Sequence, residues 1–212
     1  MKRPQAADQL MAGTFGVSRG TEDALRAYVD LLLRWNSRIN LVAECEAAEI
    51  WRRHVLDCLQ ILPLLPADAG PLLDLGSGGG FPGLVLAATA TARPTHLVES
   101  DRRKAAFLAE AARHLGLAHV RVHATRIDAA SLPPAAVLTA RALAPLPTLL
   151  GHAHRLLAPG GTAIFPKGRT AEDELTAAAP DWTMRVERFP SLTDPAATIL
   201  RLSEIRPAGA HA

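Results

Sequence analysis

The sequence predicts an α/β protein with a mostly parallel seven-stranded sheet, a helical N-terminal cap and an antiparallel C-terminal hairpin. Three observations carry this. From residue 72 onward, short apolar runs alternate with amphipathic stretches of crossover length, the pattern of parallel strands covered by helices on both faces. The stretch LLDLGSGGGFPG at 72–83 breaks from a buried strand into a glycine turn and then a helix start. Two β-like runs at 184–189 and 198–205 are joined by a loop too short for a crossover helix, so they pair antiparallel.

Size and composition agree with a single compact unit. A chain of 212 residues, 49% of them hydrophobic, can bury its own core, with 1–70 as a cap packed on a core at 71–212. Cys45 and Cys58 lack metal or redox spacing and suit a reducing compartment. The N-terminal stretch has no apolar signal core, and the longest apolar runs fall short of a membrane span. A cytoplasmic monomer without membrane or metal partners is the expectation. The formal charge is only +2, yet residues 100–169 hold ten basic side chains against three acidic ones, while 1–70 hold eight against nine. Positive charge gathered in the segment after the glycine turn points to a polyanionic partner.

In chain order, Thr21 followed by Glu22 and Asp23 reads as a helix N-cap with acids in the first turn. Leu25, Val29, Leu32, Leu33, Trp35 and Ile39 keep roughly helical spacing behind it. A second helix is expected over 46–61, with Ile50, Val55, Leu59 and Leu62 facing inward and Pro63 and Pro66 closing it. Strands are expected at 72–75, 95–99, 120–124, 136–139 and 162–166. Helices are expected at 82–91, with Pro82 as a first helical residue, at 102–115, briefly after Asp128, and at 146–157. Pro166 lacks the N–H that a central strand uses, so the fifth strand is expected to end at Phe165.

The glycine turn and the helix start after it form a nucleotide-type binding corner. Gly78, Gly80 and Gly83 formally satisfy a dinucleotide fingerprint, and Glu99 stands about twenty residues on. Asp74 and Gly76 precede that spacing, however, and an acid entering the loop opposes a pyrophosphate while suiting a ligand with an amino group. The order Asp74, Leu75, Gly76, Ser77, Gly78, with an acid closing the next strand, resembles class I S-adenosylmethionine-dependent methyltransferases and their Rossmann-like fold. On this likeness Glu99 accepts the ribose hydroxyls, Ile127 packs on the adenine, and Asp74 lies near the methionine moiety. Asp128 either accepts from the adenine amino group or caps the short helix after it.

The position after the fourth strand reads Thr139, Ala140, Arg141, Ala142, with neither the acid or amide loop of amine methylation nor a cysteine nucleophile. A ring nitrogen with a free lone pair, such as guanine N7, needs no proton removed before it attacks, and catalysis then rests on positioning and electrostatics.

The combined motifs are more specific. They are WNSRINL at 35–41, RHVLDCL at 53–59, DLGSGGGFPG at 74–83, VESDRRKAAFL at 98–108, HLGL at 114–117, TRID at 125–128, ARALA at 140–144 and PKG at 166–168. Together they resemble the RsmG (glucose-inhibited division protein B) family, bacterial guanine-N7 methyltransferases of 16S ribosomal RNA. The resemblance implies a cofactor site at Asp74, Gly76, Ser77, Gly78, Gly80, Phe81, Glu99, Arg126, Ile127, Asp128 and Arg141. It places 16S rRNA, naked or within the small ribosomal subunit, at Arg102, Arg103, Lys104, Arg126, Arg141, Lys167 and Arg169. Arg141, Lys167, His54 and Asp57 become the substrate-positioning set, with no base. His54 and Asp57 are three apart on one helical face, where they either bind each other or border the pocket. The chain departs from the family pattern at Cys58, where serine is usual, at Arg103, where lysine is usual, and at Asp128, where glutamate is usual. A methyltransferase for another RNA base or for a small molecule is the alternative.

Overall fold

The structure, a computed structural model, describes residues 13–68 and 70–209; most of the N-terminal stretch read for signal features lies outside them. Its sheet is built from β1 (Leu72–Leu75), β2 (Thr95–Val98), β3 (Val120–His123), β4 (Ala135–Ala140), β5 (Leu157–Lys167), β6 (Trp182–Pro190) and β7 (Thr198–Pro207). The spatial order is β3-β2-β1-β4-β5-β7-β6. The first five strands run parallel and β7 lies antiparallel to both β5 and β6. Strand order reverses between β1 and β4, which opens a crevice at the carboxyl ends of those two strands.

All four residues of β1 are buried, as a strand covered on both faces requires. Leu73 and Leu75 pack with Leu146, Leu149 and Leu150, whereas Leu72 faces the other way onto Leu86 and Ile164. Strand alternation therefore sends Asp74 to the same face as Leu72, into the protein interior.

Helix α1 (Arg19–Asn36) is capped by Ser18, whose Oγ accepts from the Thr21 N–H at 3.1 Å. The expected cap at Thr21 is thus three residues late: Thr21 supplies the capped amide, and its hydroxyl lies 2.9 Å from that of Ser18. The expected second helix, α2, runs over 47–59 as an α-turn Ala47–Ile50, a π-helical segment Trp51–Val55 and an α-turn Leu56–Leu59. A 3₁₀ turn Leu62–Leu64 holds Pro63 beyond it. Helix α3 (Gly83–Thr89) begins just after Pro82, and α4 (Arg102–His114) is capped by Asp101, which accepts from the Arg103 and Lys104 amides. A 3₁₀ turn Ile127–Ala129 stands where the short helix was expected, and α5 (Leu146–Leu156) follows β4.

Two further features differ from the sequence reading. Helix α6 (Ala171–Ala178) was not anticipated, because only Ala171, Leu175 and Ala178 are buried and this stripe carries one large side chain. Strand β5 does not stop at Phe165 but continues through Pro166 to Lys167. Its last partner on β4 is at Ile164, whereas its pairing with β7 runs from Ala163 to the strand's end, Pro166 opposite Ile199 and Lys167 opposite Thr198. Pro166 therefore sits where one side of the strand is an edge, which tolerates the missing N–H.

The helices before β1 share one apolar cluster with α3 and α4, in which Tyr28, Trp51, Leu56, Phe81 and Phe107 meet. A second cluster joins α5 and α6 to the opposite face of the sheet. Among the described residues no helix is long and apolar enough to cross a membrane.

The tightest seam is where α3 crosses β1. A Cβ added to Gly83 would lie 2.6 Å from Asp74 Oδ2 and would also meet the Leu97 side chain. Gly83→Ala is expected to cost about 2 kcal/mol through overpacking. Thermal unfolding should show a melting temperature lowered by roughly 4–8 °C.

Candidate active site

The glycine corner is shaped by backbone that only glycine adopts readily: φ is +64° at Gly76, +53° at Gly78 and +90° at Gly80. Ser77 closes the turn, its Oγ donating to Asp74 O at 2.9 Å and its N–H to Val98 O at 3.1 Å. Tyr28 reaches in from α1 to donate its hydroxyl to Gly79 O. Glu99, just past β2, clamps the turn from the other side: Oε2 accepts from the Gly78 N–H at 2.9 Å and Oε1 from the Asp101 N–H at 2.8 Å. Each oxygen keeps a lone pair for a further donor.

Asp74 lies beneath this turn, fully buried. Its Oδ1 accepts from Thr139 Oγ1 at 2.7 Å, and its Oδ2, beside Gly83, has no hydrogen-bond partner among the described residues. Burial pushes the carboxyl up to about 6, against the lowering effect of hydrogen bonds from the Thr139 side chain and its neighbours and of the Arg141 charge. Asp74 thus shores up the corner from within, and no face of it opens to a ligand in this conformation.

Arg141, at the carboxyl end of β4, gathers most of the remaining motifs. Its Nη2 lies 2.8 Å from His54 Nδ1 and its Nη1 3.4 Å from Asp57 Oδ2, while its guanidinium carbon stands 5.3 Å from the centre of the Phe81 ring. The His54 ring stacks on Phe81 as well, centroids 4.9 Å apart. His54 and Asp57 do share one face of α2, as their spacing predicts. They do not bind each other; each binds Arg141.

An arginine only donates, so His54 Nδ1 is the acceptor and its Nε2–H donates to Glu44 Oε2 at 2.7 Å. Burial, reinforced by the Arg141 charge, lowers the His54 pKa from its usual value, against an opposing pull from Glu44. Burial also opposes ionisation of Glu44, but the His54 hydrogen bond and the nearby Arg53 outweigh it and keep that carboxyl below the usual range. Glu44 escaped sequence reading because its surroundings, VAECEAA, carry no motif. The signal lay upstream in WNSRINL: Asn36 Oδ1 accepts from the Leu41 and Val42 amides at 2.8 and 3.1 Å, and its Nδ2 donates to Val42 O and Glu44 O.

Beyond Arg141 opens a cleft of about 1040 Å³, walled by α2, the loop 141–145, the end of β5 and the β6–β7 loop. The last wall is tied down through Asp57 Oδ1, which accepts from Thr193 Oγ1 and from Gln60 Nε2, both at 2.8 Å. Gln60 Oε1 also accepts from the Leu192 N–H at 2.8 Å. Neither Gln60 nor Thr193 had a sequence signal; a contact across more than 130 positions is visible only once the sheet forms.

Lys167 faces the cleft wall but is not a free cation. Its side chain is 9% exposed, and its Nζ donates to Glu174 Oε2 at 2.7 Å and to Ala144 O at 3.1 Å. Glu174 Oε2 also accepts from the Leu146 N–H, so Lys167 and Glu174 together pin the loop between β4 and α5. That loop holds Ala142 at φ +51° and leans Leu143 over Gly76, where a glycine Cβ would meet Leu143 Cδ1 at 2.5 Å.

The other anticipated residues are spread around the corner rather than in the cleft. Arg102 is exposed on the first turn of α4, and Arg103 donates to Arg38 O at 2.8 Å. Lys104 is half-buried, and Arg126 and Arg169 are exposed. Ile127 packs against the α5 cluster, while Asp128, 73% exposed, pairs with Arg155 at 3.3 Å and with His152 at 3.8 Å. One cleft cation was not anticipated: Arg52 is exposed and has no hydrogen bond or ion pair among the described residues. Its neighbour Arg53 is engaged with Glu44 at 3.2 Å and Glu49 at 3.5 Å.

Residues 21–199 match the family described as rRNA small subunit methyltransferase G. A protein named ribosomal RNA small subunit methyltransferase G from Granulibacter bethesdensis is 58% identical over 196 residues, covering 92% of this chain and 91% of its own. A protein of the same name from Rhodospirillum centenum is 57% identical, covering 92% and 89%. Among solved structures, an O-methyltransferase from Bacillus cereus superposes with a TM-score of 0.59 at 16% identity, covering 94% of this chain and 98% of its own. At that identity the likeness speaks for the fold alone.

The buried acid makes a sharp pH signature. Native Asp74 holds its proton up to about pH 6, whereas an unfolded aspartate releases it near the ordinary value. The native state binds more protons in that window, so this carboxyl's contribution to stability falls as pH rises from about 4 to 6. Denaturant unfolding of the wild type and Asp74→Asn across pH 4–8 should show the wild type losing up to about 3 kcal/mol relative to the variant, with the difference flat above that window.

Proposed function

The chain belongs to the rRNA small subunit methyltransferase G family, and from that premise we propose that it transfers the methyl group of S-adenosylmethionine to N7 of a guanine in the decoding-region loop of 16S rRNA. It does so in the cytoplasm, as a monomer, on the RNA or on the small ribosomal subunit.

The donor set at the glycine corner fits the cofactor. Glu99 offers two acceptor oxygens, each with capacity left, to the two ribose hydroxyls. The left-handed turn at Gly76, Gly78 and Gly80 lets backbone come close to a ligand, and the segment 126–128 takes the adenine side. Ser77 and Asp74 hold that turn from below. When bound, S-adenosylmethionine supplies an activated methyl group on a sulfonium.

The observation that carries the reading is the state of the groups around Arg141. Both His54 ring nitrogens are engaged, by Arg141 and Glu44, and both Asp57 oxygens are engaged, by Arg141 and by Thr193 with Gln60. Nothing there waits to take a proton from a substrate. Guanine N7 needs no such group, because its in-plane lone pair would form the new N–C bond in place of the methyl's C–S bond, whose electron pair would stay on sulfur as a thioether, and no N–H is lost. Arg141 can donate to the guanine O6 edge and leave N7 free. Asp57 offsets the guanidinium charge, which limits repulsion with the positive charge that builds on the methylated ring. Phe81 offers the shared apolar face on which both Arg141 and His54 rest.

Phosphate contact falls to cations that form no ion pair among the described residues. Arg52 is placed for it within the cleft, with Arg102, Arg103, Lys104, Arg126 and Arg169 around the corner. Lys167 acts instead as an internal prop of the β4–α5 loop.

The direct test is tritiated-methyl transfer to small subunits and to 16S rRNA from a strain lacking the activity, followed by borohydride reduction and aniline cleavage to locate the modified guanosine. A single cleavage site in 16S rRNA is the expected result; label in tRNA or in a metabolite would overturn the assignment. Calorimetry with S-adenosylhomocysteine should show Glu99→Ala weakened at least roughly 30-fold, since two hydrogen bonds to a charged acceptor are lost. RNA binding measured over a salt series should separate Arg52 from Lys167. Arg52→Ala is expected to reduce the slope of log affinity against log salt by about one, while Lys167→Ala lowers the melting temperature and leaves that slope in place.

A further inference from the structure

We propose that Glu44 is a positioning residue for Arg141, acting through the His54 ring. Arg141 needs an acceptor at His54 Nδ1, and an imidazole presents one there only with its proton on Nε2 and its ring turned the right way. Glu44 imposes both conditions, because its Oε2 takes the Nε2–H at 2.7 Å. A flipped ring or the other tautomer would aim an N–H at a guanidinium that itself only donates. The carboxylate is nearly buried, so its hold on the ring is little diluted by solvent.

Glu44 is delivered to this spot by the hydrogen bonds of Asn36 to the loop after α1. The chain of command runs from Asn36 to Glu44, His54 and Arg141, and so from the helical N-terminal segment to the end of β4. This extends the reading of Arg141 as the group that faces the target base, and rests on it.

The pH dependence follows from the groups that face the ring. Arg141 approaches from the end of β4, Glu44 from the loop after α1, Asp57 from the same helix, and Phe81 covers one face; Arg53 touches the far side of Glu44. Protonation of Nδ1 would expel Arg141, so transfer should fall on the acid side of the rate profile. Removing the Glu44 charge favours the neutral ring and moves that fall to lower pH.

Three measurements test the proposal. Long-range proton–nitrogen correlation on ¹⁵N-histidine-labelled protein, with His54 identified by its absence in His54→Asn, should show Nε2 protonated and Nδ1 bare near neutral pH. In Glu44→Ala the two nitrogens should average or exchange places. Transfer by Glu44→Ala should drop at least roughly tenfold, well short of the factor of about 10⁴ lost when a carboxylate that orients a general base is neutralised, because His54 passes no proton here. S-adenosylhomocysteine affinity, which also reports folding, should stay within about twofold of wild type, because the hydrogen bonds of the Glu99 clamp go to Gly78 and Asp101 and not to Glu44. Glu44→Gln, whose amide oxygen still accepts from Nε2–H, should keep more of the rate than Glu44→Ala and shift the acid fall downward by about half a unit or more. A wild-type ring protonated on Nδ1, or Glu44→Ala with unchanged ring nitrogens and unchanged rate, overturns the proposal. Failure of the wild type to methylate 16S rRNA would instead strike the substrate assignment and leave the ring-nitrogen result intact.

Discussion

The site depends on how a guanidinium is kept charged and still in a place that is only 18% exposed. Taking such a charge out of water is costly unless acceptors surround it. Arg141 meets that requirement with side chains from α2, while Phe81 from the glycine turn covers it. Those acceptors are themselves tied to more distant segments, His54 to Glu44 and Asp57 to Thr193 and Gln60. One charge therefore organises the N-terminal helices, the end of β4 and the C-terminal hairpin around a single cleft. The motif at 53–59 supplies both side-chain acceptors of this arginine, and the glycine-turn motif supplies the ring that covers it.

A similar economy governs the two acids that frame the cofactor corner. Glu99 and Asp74 both follow apolar strand residues, yet they do different things. Glu99 emerges past the end of β2, where backbone amides satisfy it without using up its acceptor capacity. Asp74 falls on an interior strand position under α3, where burial raises its pKa to about 6 and one oxygen finds no partner. Carboxylates from neighbouring strands can thus differ in whether they face a ligand or the protein interior.

Much of the architecture was readable from residue pattern, and the misses have local causes. The glycine corner, the β-strands from 72 onward and the terminal hairpin followed from apolar runs and turn residues, which are short-range signals. Helix α6 was missed because alanines supply most of its buried stripe, and Pro166 was misjudged because strand β5 loses its β4 partner before that residue. Ser18 rather than Thr21 caps α1, a shift that two neighbouring hydroxyls make hard to read without backbone angles. In the site, the family resemblance puts Lys167 at the RNA, whereas in the fold its amine is held by Glu174 and by Ala144 O. Its partner Glu174 sits on the very helix that sequence reading did not see.

By itself the sequence determined the order of the strands and of the helices other than α6, the glycine turn and its flanking acids, and the identity of the motif residues, since all of these depend on side-chain period and on backbone freedom along a few consecutive positions. Tertiary structure alone decided what those residues do for one another. Arg141 became the shared partner of His54 and Asp57, Glu44 entered the site, Lys167 turned inward, and Arg52 was left without a hydrogen bond or ion pair among the described residues. The reason is that hydrogen bonds and ion pairs are settled by which groups the sheet and its covering helices bring within about 3 Å. That proximity links positions as far apart as 44, 54, 141 and 193, for which no local pattern exists.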